Sequence, residues 1–156
     1  MEKQNSFHII AQNTIHLPTY FIHNMNTFST EVYNQIIAIF PQLEGLNKPN
    51  TELLEFELEN DTPTPLGSIF IQTSEDDQIW IKATHPYTTY AVDSVEELIY
   101  IIGGIVSNEM FWVVAYDGEE WDDSFFALKG YELEMEEGIT YKILSWNGEE
   151  DQTVTA

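Results

Sequence analysis

The run Asp117-Gly118-Glu119-Glu120-Trp121-Asp122-Asp123 packs five carboxylates around one tryptophan. Carboxylates at this density can hold a metal ion, share a proton in acid–base work, or pair with the lysines and arginines of another protein. The tryptophan favours the last of these. Indole is costly to leave in water and is enriched where partners bury it, while flanking acids supply charge complementarity. Calcium is not singled out, because the run lacks the alternating ligands, the central glycine and the bidentate glutamate at position 12 of an EF-hand loop.

Two further acidic patterns have the period of a strand. Glu55, Glu57 and Glu59 alternate with Leu54, Phe56 and Leu58; Glu132, Glu134 and Glu136 alternate with Tyr131, Leu133 and Met135. Period two places each trio on one face of a sheet. Neither segment carries a lysine or arginine, although an ordinary solvated face mixes both signs, so each face calls for a cationic partner. Glu75-Asp76-Asp77 is simpler, a turn with Asx-type hydrogen bonding at the periphery of such a surface.

Several chemistries are excluded or unsupported. There is no cysteine, which removes disulfides, thiolate zinc, iron–sulfur clusters and cysteine nucleophiles together. His8, His16, His23 and His85 form no i,i+4 pair and no H-x-H strand pair with a local carboxylate, so no zinc site is expected. G-x-S-x-G, P-loop, G-x-G-x-x-G and H-E-x-x-H patterns are all missing, and no cofactor is implied. A carboxylate pair of the glycosidase kind is available only in the trivial sense that 27 acids supply many pairs. The residues therefore point to a non-enzymatic role.

Overall charge narrows the partner. Against 27 acids stand Lys3, Lys48, Lys82, Lys129 and Lys142, with no arginine, for a net charge of -22. Direct contact with nucleic acid or an anionic membrane is disfavoured, since phosphates are gripped mainly by Lys and Arg. The charge is asymmetric. Residues 1–50 hold three acids and two lysines, 51–100 eleven and one, 101–156 thirteen and two. Residues 1–30 lack the continuous apolar h-region of a secretory signal, and the weakly polar stretch 98–106 is too short to cross a bilayer, so a cytoplasmic protein is expected.

The elements that must position these residues form one α+β domain over 1–156, mainly antiparallel sheet with two helices and eight to ten strands. Residues 7–10 and 20–23 predict an opening pair of strands. Ser29 or Thr30 is expected to cap a helix through Val32, Ile36, Ile37 and Phe40 that stops at Pro41. Strands follow at 53–59, at 68–72 and 78–84 around a turn at 74–77, and at 87–92. Ser94-Val95-Glu96-Glu97 is a capping box opening a helix expected to end at Gly103–Gly104. The uncharged run Met110 to Tyr116 predicts a central strand buried on both faces, ended by Asp117–Gly118. Residues 130–146 predict a hairpin turning at Glu137–Gly138, and a polar acidic tail is expected from about 147.

In size, absence of cysteine, acidity and lack of catalytic motifs, the whole chain resembles the immunity proteins of bacterial contact-dependent and polymorphic toxin systems. The resemblance is one of type and carries no signature motif. It implies a cytosolic inhibitor that binds one basic cognate toxin, a nuclease domain being the expected partner, and covers its nucleic-acid-binding or active site. Carboxylates then stand where phosphates would bind. Glu119, Glu120, Trp121, Asp122 and Asp123 are the first candidates for that contact, then Glu132, Glu134 and Glu136, then Glu55, Glu57 and Glu59. The alternatives are a phage or plasmid anti-defence protein that mimics DNA, a small carboxylate-dependent hydrolase, and a plain scaffolding domain.

Overall fold

The computed structural model describes residues 25–46 and 52–156. The strands expected at 7–10 and 20–23 lie outside them. The described chain folds as α+β, with two helices and two four-stranded antiparallel sheets.

Helix α1 (Thr27–Ile39) buries Val32, Tyr33 and Ile36 on one stripe. Its cap is Asn26, whose Oδ1 accepts the Ser29 N–H at 2.7 Å, not Ser29 or Thr30 as expected. Those two hydroxyls are engaged elsewhere. Ser29 Oγ lies 2.6 Å from Thr73 Oγ1 in the buried interior, and Thr30 Oγ1 donates to the Asn26 carbonyl. The helix stops before Pro41, as expected, and a 3-10 turn (Pro41–Leu43) follows.

The first sheet is a meander of β1 (Glu55–Leu58), β2 (Ile69–Thr73), β3 (Ile79–Ala83) and β4 (Thr89–Val92), adjacent in chain order. Alternation decides its faces. Phe56, Ile69, Ile71 and Ile81 point inward and are fully buried, while Glu55, Gln72, Phe70 and Lys82 face out. Each inward Ile or Phe contributes about 1.5–3 kcal/mol by leaving water.

Helix α2 (Val95–Val106) opens with the expected cap: Ser94 Oγ accepts the Glu97 N–H at 3.1 Å. The return bond reaches one residue further than a standard box, from the Asp93 N–H to Glu97 Oε2 at 2.8 Å. The helix does not end at Gly103–Gly104. It runs on to Val106, burying Ile105, because the next segment turns back tightly against it. Glu109 N–H donates to the Gly104 carbonyl at 2.9 Å, and a Cβ at Gly104 would sit 2.9 Å from the Met110 Cβ. Gly104 is thus there for close approach, whereas Gly103 faces only the tip of Phe40 at 4.0 Å.

The second sheet has the order β6-β5-β7-β8, with β5 (Met110–Asp117), β6 (Glu120–Leu128), β7 (Ile139–Leu144) and β8 (Gln152–Thr155). As expected, β5 is interior and buried on both faces from Met110 to Tyr116. Met110, Trp112, Val114 and Tyr116 join the first sheet and both helices in one core; Val113 and Ala115 face the other way and form a small second core.

That second core explains why 130–146 is not the expected hairpin. Strand β7 has β5 on one side and β8 on the other, so residues 131–136 find no free edge on their expected hairpin partner, and they form no strand. They instead cross the sheet from the end of β6 to the start of β7. Leu133 packs on the Val113/Ala115/Tyr141 cluster, and the Glu136 N–H donates to Tyr141 Oη at 3.2 Å. The polar tail expected from 147 is also corrected. Asp151 Oδ1 accepts from the Ser145 N–H at 2.7 Å and Ser145 Oγ at 2.9 Å, closing a turn that returns 152–155 as an edge strand.

The two adjacent glycines of α2 should respond oppositely to alanine. Gly103→Ala should raise stability by about 0.5–1 kcal/mol through helix propensity. Gly104→Ala should lower it by about 1–3 kcal/mol through overpacking against Met110. Urea midpoints of the two variants check both signs.

Candidate functional site

The acidic tryptophan run lies at the tip of the β5–β6 hairpin, with Asp117 ending one strand and Glu120 to Asp123 opening the next. Asp117 pairs with Glu120 across a two-residue turn in which Gly118 takes φ 62°, the positive value a tight hairpin needs at its first central residue. Glu119 is the other turn residue. Next comes a register shift: Tyr116 faces Trp121, but Ala115 faces Asp123, leaving Asp122 as the extra residue of a bulge. The bulge brings Trp121 to the side of the sheet occupied by Tyr116 and leaves Asp122 in solvent.

On that side Trp121 meets the β3–β4 connection. Thr88 shapes this connection, its buried hydroxyl donating to the His85 carbonyl and accepting the Ala83 N–H at 3.2 Å. Tyr87 is thereby held over the second sheet. Its ring stacks on the Trp121 indole at 5.6 Å with 7° between the planes, and meets Tyr116 edge-on at 6.0 Å. Ser124 locks the pair by accepting Trp121 Nε1–H at 2.9 Å and donating its own hydroxyl to the Tyr87 carbonyl. Both rings stay open to solvent, Trp121 at 48% and Tyr87 at 40%.

His85 and Lys142 complete the cluster. His85 Nδ1 accepts the Tyr87 N–H at 3.4 Å, so Nε2 carries the proton and donates to Tyr116 Oη at 3.2 Å. Burial, with Lys142 adding to it, holds the His85 pKa below its ordinary value. Burial first, then Tyr87, raises that of the Tyr116 hydroxyl. Lys142 Nζ lies 4.8 Å over the Tyr116 ring. Sequence reasoning missed this grouping of His85, Tyr87, Tyr116 and Lys142; there His85-Pro86 is a break between strands and Tyr87 the start of a strand at 87–92, whereas the structure leaves Tyr87 in the connection and starts β4 at Thr89.

The three acidic features do not form one face. Glu119, Glu120, Asp122 and Asp123 are all exposed on the hairpin, but the register divides them: Glu120 and Asp123, opposite Asp117 and Ala115, belong to the sheet face away from Trp121, and Asp123 Oδ1 accepts the Ser124 N–H at 2.7 Å. The crossover brings Glu136 and Glu137 to the same end of the sheet, since Ile139 pairs with Asp117 there. Glu132 and Glu134 are exposed further back along the crossover, Glu55 and Glu57 belong to the first sheet, and Glu59 lies just past the end of β1, short of the strand expected to 59. Even that face is partly compensated: Glu57 pairs with Phe70, whose ring lies under Lys82 Nζ at 5.8 Å, and Glu55 Oε1 accepts from Gln72 Nε2 at 3.3 Å. Among the described residues the ion pair is Lys129–Glu150, at 2.6 Å, and no such pair neutralises the hairpin. No group of three or more potential metal ligands occurs among those residues, and none of their helices is long and apolar enough to cross a membrane.

Fold and surface together define an α+β domain that carries, at one end of its second sheet, a solvent-open aromatic stack on an acid-rich hairpin. No protein-family model matches the chain, and neither a curated protein nor a solved structure matches it.

Because the folded-state pKa of His85 lies below its unfolded value, the unfolded chain takes up the proton first as pH falls. The His85 contribution to stability should therefore be full above about pH 6.5 and decline below it until the lowered folded pKa is reached. Urea unfolding from pH 7.5 to 5 should show wild type losing stability relative to His85→Gln, which isolates this group from the carboxylates.

Proposed function

We propose that the chain is an immunity-type inhibitor that binds a basic cognate toxin, a nuclease domain, and neutralises it by occupancy in the cytosol, with no catalytic residue of its own. The observation that carries this reading is the half-exposed Trp121–Tyr87 stack, fixed by Ser124 and borne on a hairpin whose exposed carboxylates have no ion pair among the described residues. Interfaces draw most of their affinity from a few rigid aromatic anchors, while the surrounding charges set association rate and partner choice. Stack and carboxylates fit those two parts, and the opposite sign on a nucleic-acid-binding surface makes such a surface the natural counterpart.

The reading ranks the candidate residues. Trp121 with Glu119, Glu120, Asp122 and Asp123 forms the centre, joined by Tyr87, Glu136 and Glu137. Glu132 and Glu134 lie at the margin, and Glu55, Glu57 and Glu59 fall outside. A compact centre of this kind favours one protein partner over the DNA-mimic alternative, for which charge spaced along an extended face is needed.

The test uses the full chain as bait at low salt, in lysate of the producing organism with neighbouring genes co-expressed. The expected result is stoichiometric recovery of a basic nuclease or toxin fragment whose activity the chain titrates to zero. Asp122→Lys with Asp123→Lys should weaken that complex by about a hundredfold or more, since close charge pairs across interfaces carry about 1.5 kcal/mol or more each. The circular dichroism spectrum should stay unchanged. Recovery of no such partner, or inhibition unaffected by the reversal, overturns the reading.

A further inference from the structure

We propose that the solvent face of Trp121 is a guanidinium site, selective for an arginine side chain of the partner over a lysine. The inference deepens the basic-partner reading and rests on it. One indole face is stacked on Tyr87 with 7° between the planes, and Trp121 as a whole residue is 48% exposed, so the ring is not enclosed on both sides. The ring is flat and held in place: Ser124 fixes the indole N–H, and the same hydroxyl binds the carbonyl of the residue stacked beneath it. A platform already ordered in the free protein loses little freedom when a ligand lands on it.

Charge and chemistry select what lands. The negative face of an indole attracts cations more strongly than that of any other side chain, and Asp122, the exposed bulge residue next to it in the chain, adds a carboxylate. The cluster already receives one cation of its own, Lys142 over Tyr116. Between the two basic side chains the geometry favours arginine. A guanidinium is planar, stacks on an aromatic ring, is more weakly hydrated than an ammonium, and offers a fork of donors to a carboxylate beside the ring. A lysine ammonium would keep the attraction to the carboxylates and to the ring, as Lys142 does over Tyr116, but without planar stacking or a fork of donors.

The probes are blocked hexa-arginine and hexa-lysine peptides at low ionic strength, titrated into the full chain by calorimetry and by the Trp121 indole N–H resonance. Wild type is expected to bind the arginine peptide about two- to fivefold more tightly, the range of an exposed cation–π contact. Trp121→Leu should erase that preference, weakening the arginine peptide more than the lysine peptide until the two bind alike, and Trp121→Phe should retain part of it. The buried Trp112 indole resonance reports that each variant is folded. Equal binding in wild type, or a preference that survives in Trp121→Leu, overturns the guanidinium site. If the peptides bind equally and Asp122→Asn with Asp123→Asn weakens both, the site falls and the basic-partner reading stands; binding of neither peptide overturns both.

Discussion

Strand β5 is buried on both faces, and the rest of the structure is arranged to make that possible. A strand with no charge from Met110 to Tyr116 has two apolar surfaces to keep from water. The helices and first sheet cover Trp112 and Val114; the extended crossover before β7 covers Val113 and Ala115. Covering the second face with a strapped segment instead of another sheet explains why residues 131–136 look like a strand yet pair with nothing. It also carries the chain from the far end of β6 back to the end where the acidic hairpin lies.

The chain tolerates its charge through where the acids stand. Exposed carboxylates about 4 Å apart in water repel by only about 1 kcal/mol, and salt screens the longer separations. A single buried isoleucine or phenylalanine outweighs one such repulsion. Concentrating the acids at turns, strand ends and the crossover therefore leaves the core intact. It also leaves the hairpin unneutralised, because of the described lysines Lys129 is paired with Glu150 and Lys82 and Lys142 lie over aromatic rings.

Periodicity made much of this legible. The first sheet, the turn at 74–77, the cap at Ser94 and the buried run 110–116 follow from local alternation and local hydrogen bonding, both written in adjacent residues. What failed depended on contacts distant in sequence. The fate of Ser29 is set by Thr73, that of Gly104 by the return of Met110, and that of 131–136 by the occupation of both edges of β7. For the same reason the candidate surface was half visible. Trp121 and its acids announce themselves in one run, but Tyr87 and His85 come from another sheet and no spacing rule connects them to it.

The bulge at Asp122 sets a parity. Counting back from Asp123 opposite Ala115, an unbroken ladder would put residue 122 opposite Tyr116 and residue 121 opposite Asp117. The indole would then project from the sheet surface that carries the crossover, away from Tyr87 and Tyr116. One unpaired residue thus decides which side of the molecule displays its largest exposed ring. A chain of this design can exchange acids along the hairpin freely, yet a change of length by one residue between Trp121 and Ser124 would turn the whole surface inside out.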